Sequence, residues 1–257
     1  MKRMPILFVG HGSPMNTLND NKYIEEWKQL GQKLPKPKAI LAISAHWYTR
    51  GDYVTGHENP PQIYDFYGFP QELYNIKYEV KGSPSLAMRV AELVPDLEIV
   101  EEHGIDHGTW CPLRHIFPDA DIPVVQLSVN GLGGPEHAIV TGRRLAQLRD
   151  EGYLIIGSGN IVHSFKELNW DLKICHDWAY DFDARIKLAV ESSNVRDLVD
   201  YKDLGDGGRR AFQTEEHYLP LLYAMGAADE DDNVEVFSKS CEMGSMSMTS
   251  YIWSNNQ

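Results

Sequence analysis

The sequence predicts an α/β domain: a central sheet, mostly parallel or mixed, with helices on both faces. Three observations lead there. The runs PILFV (5–9), AILAISA (39–45), IPVVQLSV (122–129) and YLIIG (153–157) are continuously apolar, as in strands covered on both sides. Between such runs lie segments with helical spacing and recognisable start signals. No repeat, low-complexity block or Pro/Gly/Ser linker divides the chain, so a single domain over 1–257 is expected.

In chain order, strands are expected at 5–9, 39–45, 53–57, 97–100, 122–129, 153–157, 234–238 and 247–252. Tyr23, Ile24, Trp27 and Leu30 share one face of a helix over 20–33. Ser83-Pro84 is an N-cap followed by proline at the first helical position, opening a helix over 84–94. Pro135 opens 135–150, which stops near Gly152. Segments 174–191 and 214–225 complete the set, with Thr214 as cap and Glu215 and Glu216 in the first turn, where the helix dipole favours negative charge.

The chain has 257 residues, 42% hydrophobic and 24% charged, an ordinary globular composition. Its net charge of -13 repels nucleic-acid backbones and anionic lipid, and no basic stripe offsets it, so no nucleic-acid or membrane partner is expected. The apolar stretch after Met1-Lys2-Arg3 ends at Gly10-His11, too short for a signal peptide, and no run approaches a membrane span. Cys111, Cys175 and Cys241 are odd in number and widely spaced, which argues against a disulfide framework or a thiolate zinc site. A cytoplasmic protein with reduced thiols is the expectation.

Ligands of open α/β sheets bind outside the carboxyl ends of the strands. His11 in LFVGHGSPMN, His46 in AILAISAHWYTR and His163 in YLIIGSGNIVHSF all follow predicted strands there. The glycines beside His11 would let the backbone approach a ligand. In TEEHYLPLLY, Glu215, Glu216 and His217 are alternative ligands that spacing alone does not separate. His103 and His107 in EEHGIDHGTW mimic the HxxxH pair of zinc proteases, but the general-base Glu is missing and Gly104 and Gly108 disfavour the helix. That segment reads as a loop entering a helix around Trp110, Leu113 and Ile116, with one histidine reaching the pocket. His57, His115, His137 and His176 sit in ordinary loop or helix contexts. Neither GxSxG, nor a P-loop, nor GxGxxG opening a helix occurs. A histidine-based mononuclear metal site remains, suited to an Fe(II) oxygenase or to a zinc hydrolase.

The blocks GHGSPMN (10–16), SAHWYTRG (44–51), DHGTW (106–110), DADIPVVQLS (119–128), GSGNIVH (157–163) and EHYLPLLY (216–223) resemble, in order, those of the class III extradiol ring-cleavage dioxygenases. Within that LigB-like family the 4,5-DOPA dioxygenase branch is the most similar. The resemblance implies a single catalytic domain that opens a small catechol, such as 3,4-dihydroxyphenylalanine (DOPA), with O2. It implies His11, His46 and His217 as metal ligands, with Glu216 the alternative to His217. His163 would be the acid/base group, or a fourth ligand when zinc is bound. His107 would hydrogen-bond substrate, with Arg50 or Tyr48 as guessed partners for the amino-acid end. Fe(II) is the implied active metal and Zn(II) its competitor. A homo-oligomer is compatible with the sequence, which does not fix its order.

Overall fold

The computed structural model describes residues 3–255. Its strands are β1 (Ile6–Gly10), β2 (Ile40–Thr49), β3 (Tyr53–Thr55), β4 (Glu98–Val100), β5 (Val124–Asn130), β6 (Leu154–Gly159), β7 (Asn233–Phe237), β8 (Cys241–Glu242), β9 (Met246–Ser247) and β10 (Ser250–Ser254). Eight of them form one sheet in the order β4-β3-β5-β2-β6-β1-β10-β7, and β8 pairs with β9 separately. The central four, β5-β2-β6-β1, run parallel, β10 joins β1 antiparallel, and β3 joins β5 antiparallel. The sheet is therefore mixed around a parallel centre.

The helices are α1 (Lys22–Lys33), α2 (Gln71–Tyr74), α3 (Pro84–Leu93), α4 (His107–Ile116), α5 (Gly134–Leu145), α6 (Asp177–Glu191), α7 (Val195–Val199) and α8 (Leu219–Ala227). Alternation along β1 shows how the layers divide. Leu7 and Val9 meet Trp27 of α1 and Trp110 of α4 in one core, whereas Ile6 and Phe8 lie in the other with residues of α3, α5, α6 and α8. All nine residues of α8 are buried, which fits a helix with no polar face pressed against β6 and α5. Helices cover both faces, as expected.

Local signals place several boundaries. Ser83 Oγ accepts the Leu86 N–H and caps α3. Asp106 caps α4 by accepting from Thr109, so the helix starts at His107 and tolerates Gly108 in its first turn, earlier than the sequence suggested. Thr214 occupies a cap position but its side chain makes no capping bond, and 214–225 divides into a 3-10 turn at Glu215–His217 followed by α8. The strand expected over 247–252 is interrupted between β9 and β10.

At the amino ends of the strands Arg149, fully buried, donates to the Met4 and Ala227 carbonyls and reaches both oxygens of Asp232 at 2.6 and 2.7 Å. The expectation of three reduced thiols fails. Cys175 and Cys241, 66 residues apart, form a disulfide, leaving Cys111 free and buried. Tertiary folding sets the Cys175 segment beside the β8–β9 ribbon, a proximity that local cysteine spacing does not encode.

Candidate metal centre

Each histidine is delivered by a different local device. His11 follows β1, its N–H bonded to the Gly159 carbonyl at 3.1 Å. Gly12 adopts φ +60°, and a Cβ there would meet Met248 Sδ at 2.4 Å. That glycine therefore admits Met248 as well as lining the cavity described below. His46 lies inside β2 rather than after it, where the register against β5 shifts between Ile43 and Tyr48. Such irregularities re-aim side chains at sites. His217 ends the 3-10 turn, and its carbonyl accepts from Asn160 N–H at 2.8 Å. A Cβ on Gly159 would sit 2.1 Å from that oxygen, so the GSGN turn is shaped to receive His217.

The rings converge. His11, His46 and His217 each place a nitrogen within 4.8 Å of the other two, with His11 and His46 Nε2 atoms 3.1 Å apart. The outer nitrogens face oxygens. His11 Nδ1 is 2.9 Å from Ser158 Oγ, whose own proton goes to the Gly108 carbonyl, so His11 Nδ1 is the donor. His46 Nδ1 is 3.2 Å from Asp65 Oδ2 and His217 Nδ1 is 3.4 Å from Glu216 Oε1. This leaves the Nε2 lone pairs to the interior, and His217 Nε2 is buried with no partner. A buried, orphaned imidazole nitrogen beside two others fits a divalent metal.

Electrostatics agree. Burial, reinforced by His46 and then the other nearby rings, holds His11 well below its ordinary value; burial and then His107 lower His46, and burial and then His217 lower His163. Burial and His107 bring His217 down to about 3. These imidazoles are neutral at pH 7, as ligation and proton acceptance require. Burial would raise Asp65, yet its contacts with His107 and then His46 outweigh that and hold it below the usual carboxylate range.

The rings open onto a cavity of about 340 Å³ walled by Phe66, Phe69, Phe165 and Trp170. His163 lies in it, stacked on His217 with centroids 3.7 Å apart and planes 5° from parallel. His107 enters from the other side, 3.9 Å from the His46 ring by centroid. Glu216 is set behind His217, outside the converging group. His103 stacks on Trp47 away from the cavity, and neither Tyr48 nor Arg50 lines it. Asp65 was missed, because nothing in the connection between β3 and α3 marks one carboxylate as facing two histidines.

Residues 4–253 match the family described as the catalytic LigB subunit of aromatic ring-opening dioxygenase. The chain belongs to that family. Its relatives include the 4,5-DOPA dioxygenase extradiol of Escherichia coli (strain K12), 45% identical over 96% of this chain and 94% of that one. The 4,5-DOPA dioxygenase extradiol of Beta vulgaris is 38% identical over 95% and 94%. A crystal structure of an uncharacterized protein from Escherichia coli K12 superposes with a TM-score of 0.85 at 41% identity, covering 97% of this chain and 99% of that chain. This LigB-family member is thus an extradiol ring-cleaving dioxygenase that uses a non-haem metal. Among the described residues no helix is long and apolar enough to cross a membrane.

Proposed function

We propose that the chain is a single catalytic domain that cleaves DOPA, or a similar small catechol, between ring carbons 4 and 5, giving seco-DOPA with both atoms of O2 incorporated. His11, His46 and His217 hold one Fe(II), with Glu216 orienting His217 from outside. When bound, Fe(II) supplies Lewis acidity toward the catechol oxygens and the redox capacity that couples the ring to dioxygen. His163, neutral and facing the cavity, accepts a catechol proton and returns it to the opened product. His107 donates to, or accepts from, a substrate oxygen. Phe66, Phe69, Phe165 and Trp170 hold the aromatic ring and exclude water.

The observation that carries this reading is the convergence of three neutral imidazoles, one with an orphaned Nε2, at the floor of an aromatic cavity. The test is oxygen consumption by anaerobically Fe(II)-reconstituted protein given DOPA, beside a Zn(II)-loaded control. Stoichiometric uptake with iron alone, with a yellow ring-opened product, is expected. Uptake with other catechols but not DOPA would reject the substrate and keep the reaction.

A further inference from the structure

Asp65 stands at the junction of two groups of histidines. Its Oδ1 accepts the His107 backbone N–H at 3.0 Å and lies 2.9 Å from His107 Nδ1. Its Oδ2 lies 3.2 Å from His46 Nδ1, and Oδ2 and His107 Nδ1 are both buried without a hydrogen bond of good geometry, so these short approaches are the nearest polar contacts each has. The carboxylate is placed independently of both rings. Ile63 N–H bonds to the Ile105 carbonyl at 2.8 Å, Trp110 Nε1 donates to the Ile63 carbonyl at 2.9 Å, and Tyr64 OH donates to the Ile76 carbonyl at 2.6 Å. Phe66, the next residue, is part of the cavity wall.

We propose that Asp65 is the positioning residue of the centre: its two carboxylate oxygens serve as the acceptors for the Nδ1–H groups of His46 and His107, the protons staying on nitrogen, which turns the Nε2 of His46 to the metal and the Nε2 of His107 to the substrate. This assignment rests on the metal site proposed above. The physical reason is tautomer selection. A neutral imidazole has one proton, and an anionic acceptor at Nδ1 fixes it there, frees the other nitrogen and strengthens its basicity. Asp65→Asn retains the shape but offers one accepting oxygen in place of two, so one ring loses its acceptor. The carboxylate also ties the cavity wall to the metal ligand, because Asp65 and Phe66 are adjacent.

The experiment is titration of Co(II) into apoprotein against a competing chelator, read by visible absorption, for wild type, Asp65→Asn and Asp65→Glu. Wild type is expected to bind one Co(II) per chain. Asp65→Asn is expected to bind about 10- to 100-fold more weakly with shifted absorption bands, and Asp65→Glu to recover part of the loss. Unchanged affinity and spectrum in Asp65→Asn would overturn the role of Asp65 alone, whereas a wild type that binds no Co(II) would overturn the metal site together with it. Should Asp65→Asn not fold, histidine-labelled NMR of Zn(II)-loaded wild type decides. Protonated Nδ1 on both His46 and His107 supports the assignment, and an unprotonated Nδ1 on either rejects it.

Discussion

The two ends of the parallel strands solve the problem of buried polar groups in opposite ways. At the amino ends Arg149 is fully enclosed, and its guanidinium is satisfied by two carbonyls and by both oxygens of Asp232. At the carboxyl ends His11, His107, His163 and His217 are buried beside the partly buried His46, yet His217 Nε2 has no partner and the rings repel one another's protonation. The Arg149 guanidinium is satisfied by protein groups alone, whereas His217 Nε2 faces the cavity with no protein partner. Satisfied polar networks hold a fold together, whereas unpartnered buried groups facing a cavity are where binding free energy is available.

The contrast is broken most severely at the histidine end. His46→Ala should remove stoichiometric metal binding and lower ring cleavage by about 10^4-fold, near 5 kcal/mol, with apoprotein stability close to wild type. Metal analysis and urea unfolding on the same sample check both halves. A variant as unstable as it is inactive would show that the cluster also supports the fold.

The reciprocal change is Asp232→Asn, which removes the bidentate partner of buried Arg149 and leaves it, for counter-charge, only the longer contact to the more exposed Asp229 at 3.5 Å. It should cost about 3 kcal/mol of stability, seen as a lower urea midpoint at constant slope, while metal affinity is retained. Loss of metal affinity in this variant would mean the two ends are coupled. A finer cut is His163→Ala, expected to reduce kcat about 10^2-fold with iron content unchanged, because it removes proton transfer and not a ligand. Wild-type turnover with full iron would refute the proton-transfer role, and loss of iron would make His163 a ligand.

The smallest effect per step is titration. His217 ionises at about 3 in the fold against an ordinary 6.5, so below 6.5 the unfolded chain takes up a proton that the folded one refuses. Apoprotein stability should therefore be fully present above 6.5 and fall as pH drops toward 3, by about 1.4 kcal/mol per pH unit for each such ring. Burial opposes but Arg149 holds Asp232 below its usual 3.8, so stability from that end persists above 3.8 and is lost only as pH falls further, through its depressed value. Unfolding free energy measured from pH 8 to 3 should show the histidine window first, and a flat profile between 6.5 and 4 would contradict it.

Much of this was legible in the chain. Continuous apolar runs gave the central strands, because strands covered on both faces have no polar side to display. The GHG, SAH and GSGN blocks marked His11, His46 and His163, because a strand that ends in polar residues at a crevice leaves that boundary in the order of residues, whereas His217 was one of three alternatives in TEEH that only the resemblance separated. Position inside β2, rather than beyond it, was not legible for His46, since a register shift depends on the partner strand. The Cys175–Cys241 pair and the Asp65 contacts were equally hidden.

The sequence by itself determined the α/β class and marked His11, His46 and His163 as strand-end candidates; the choice of His217 and the reaction came through the resemblance. Periodicity and strand-end chemistry are properties of neighbours along the chain. Only the tertiary structure decided that Glu216 stands behind His217, that His107 rather than His103 enters the cavity, and that Asp65 touches two of the rings. Those outcomes depend on which way a side chain points once distant segments pack, and hydrogen-bond direction at 3 Å is set by that packing rather than by residue order.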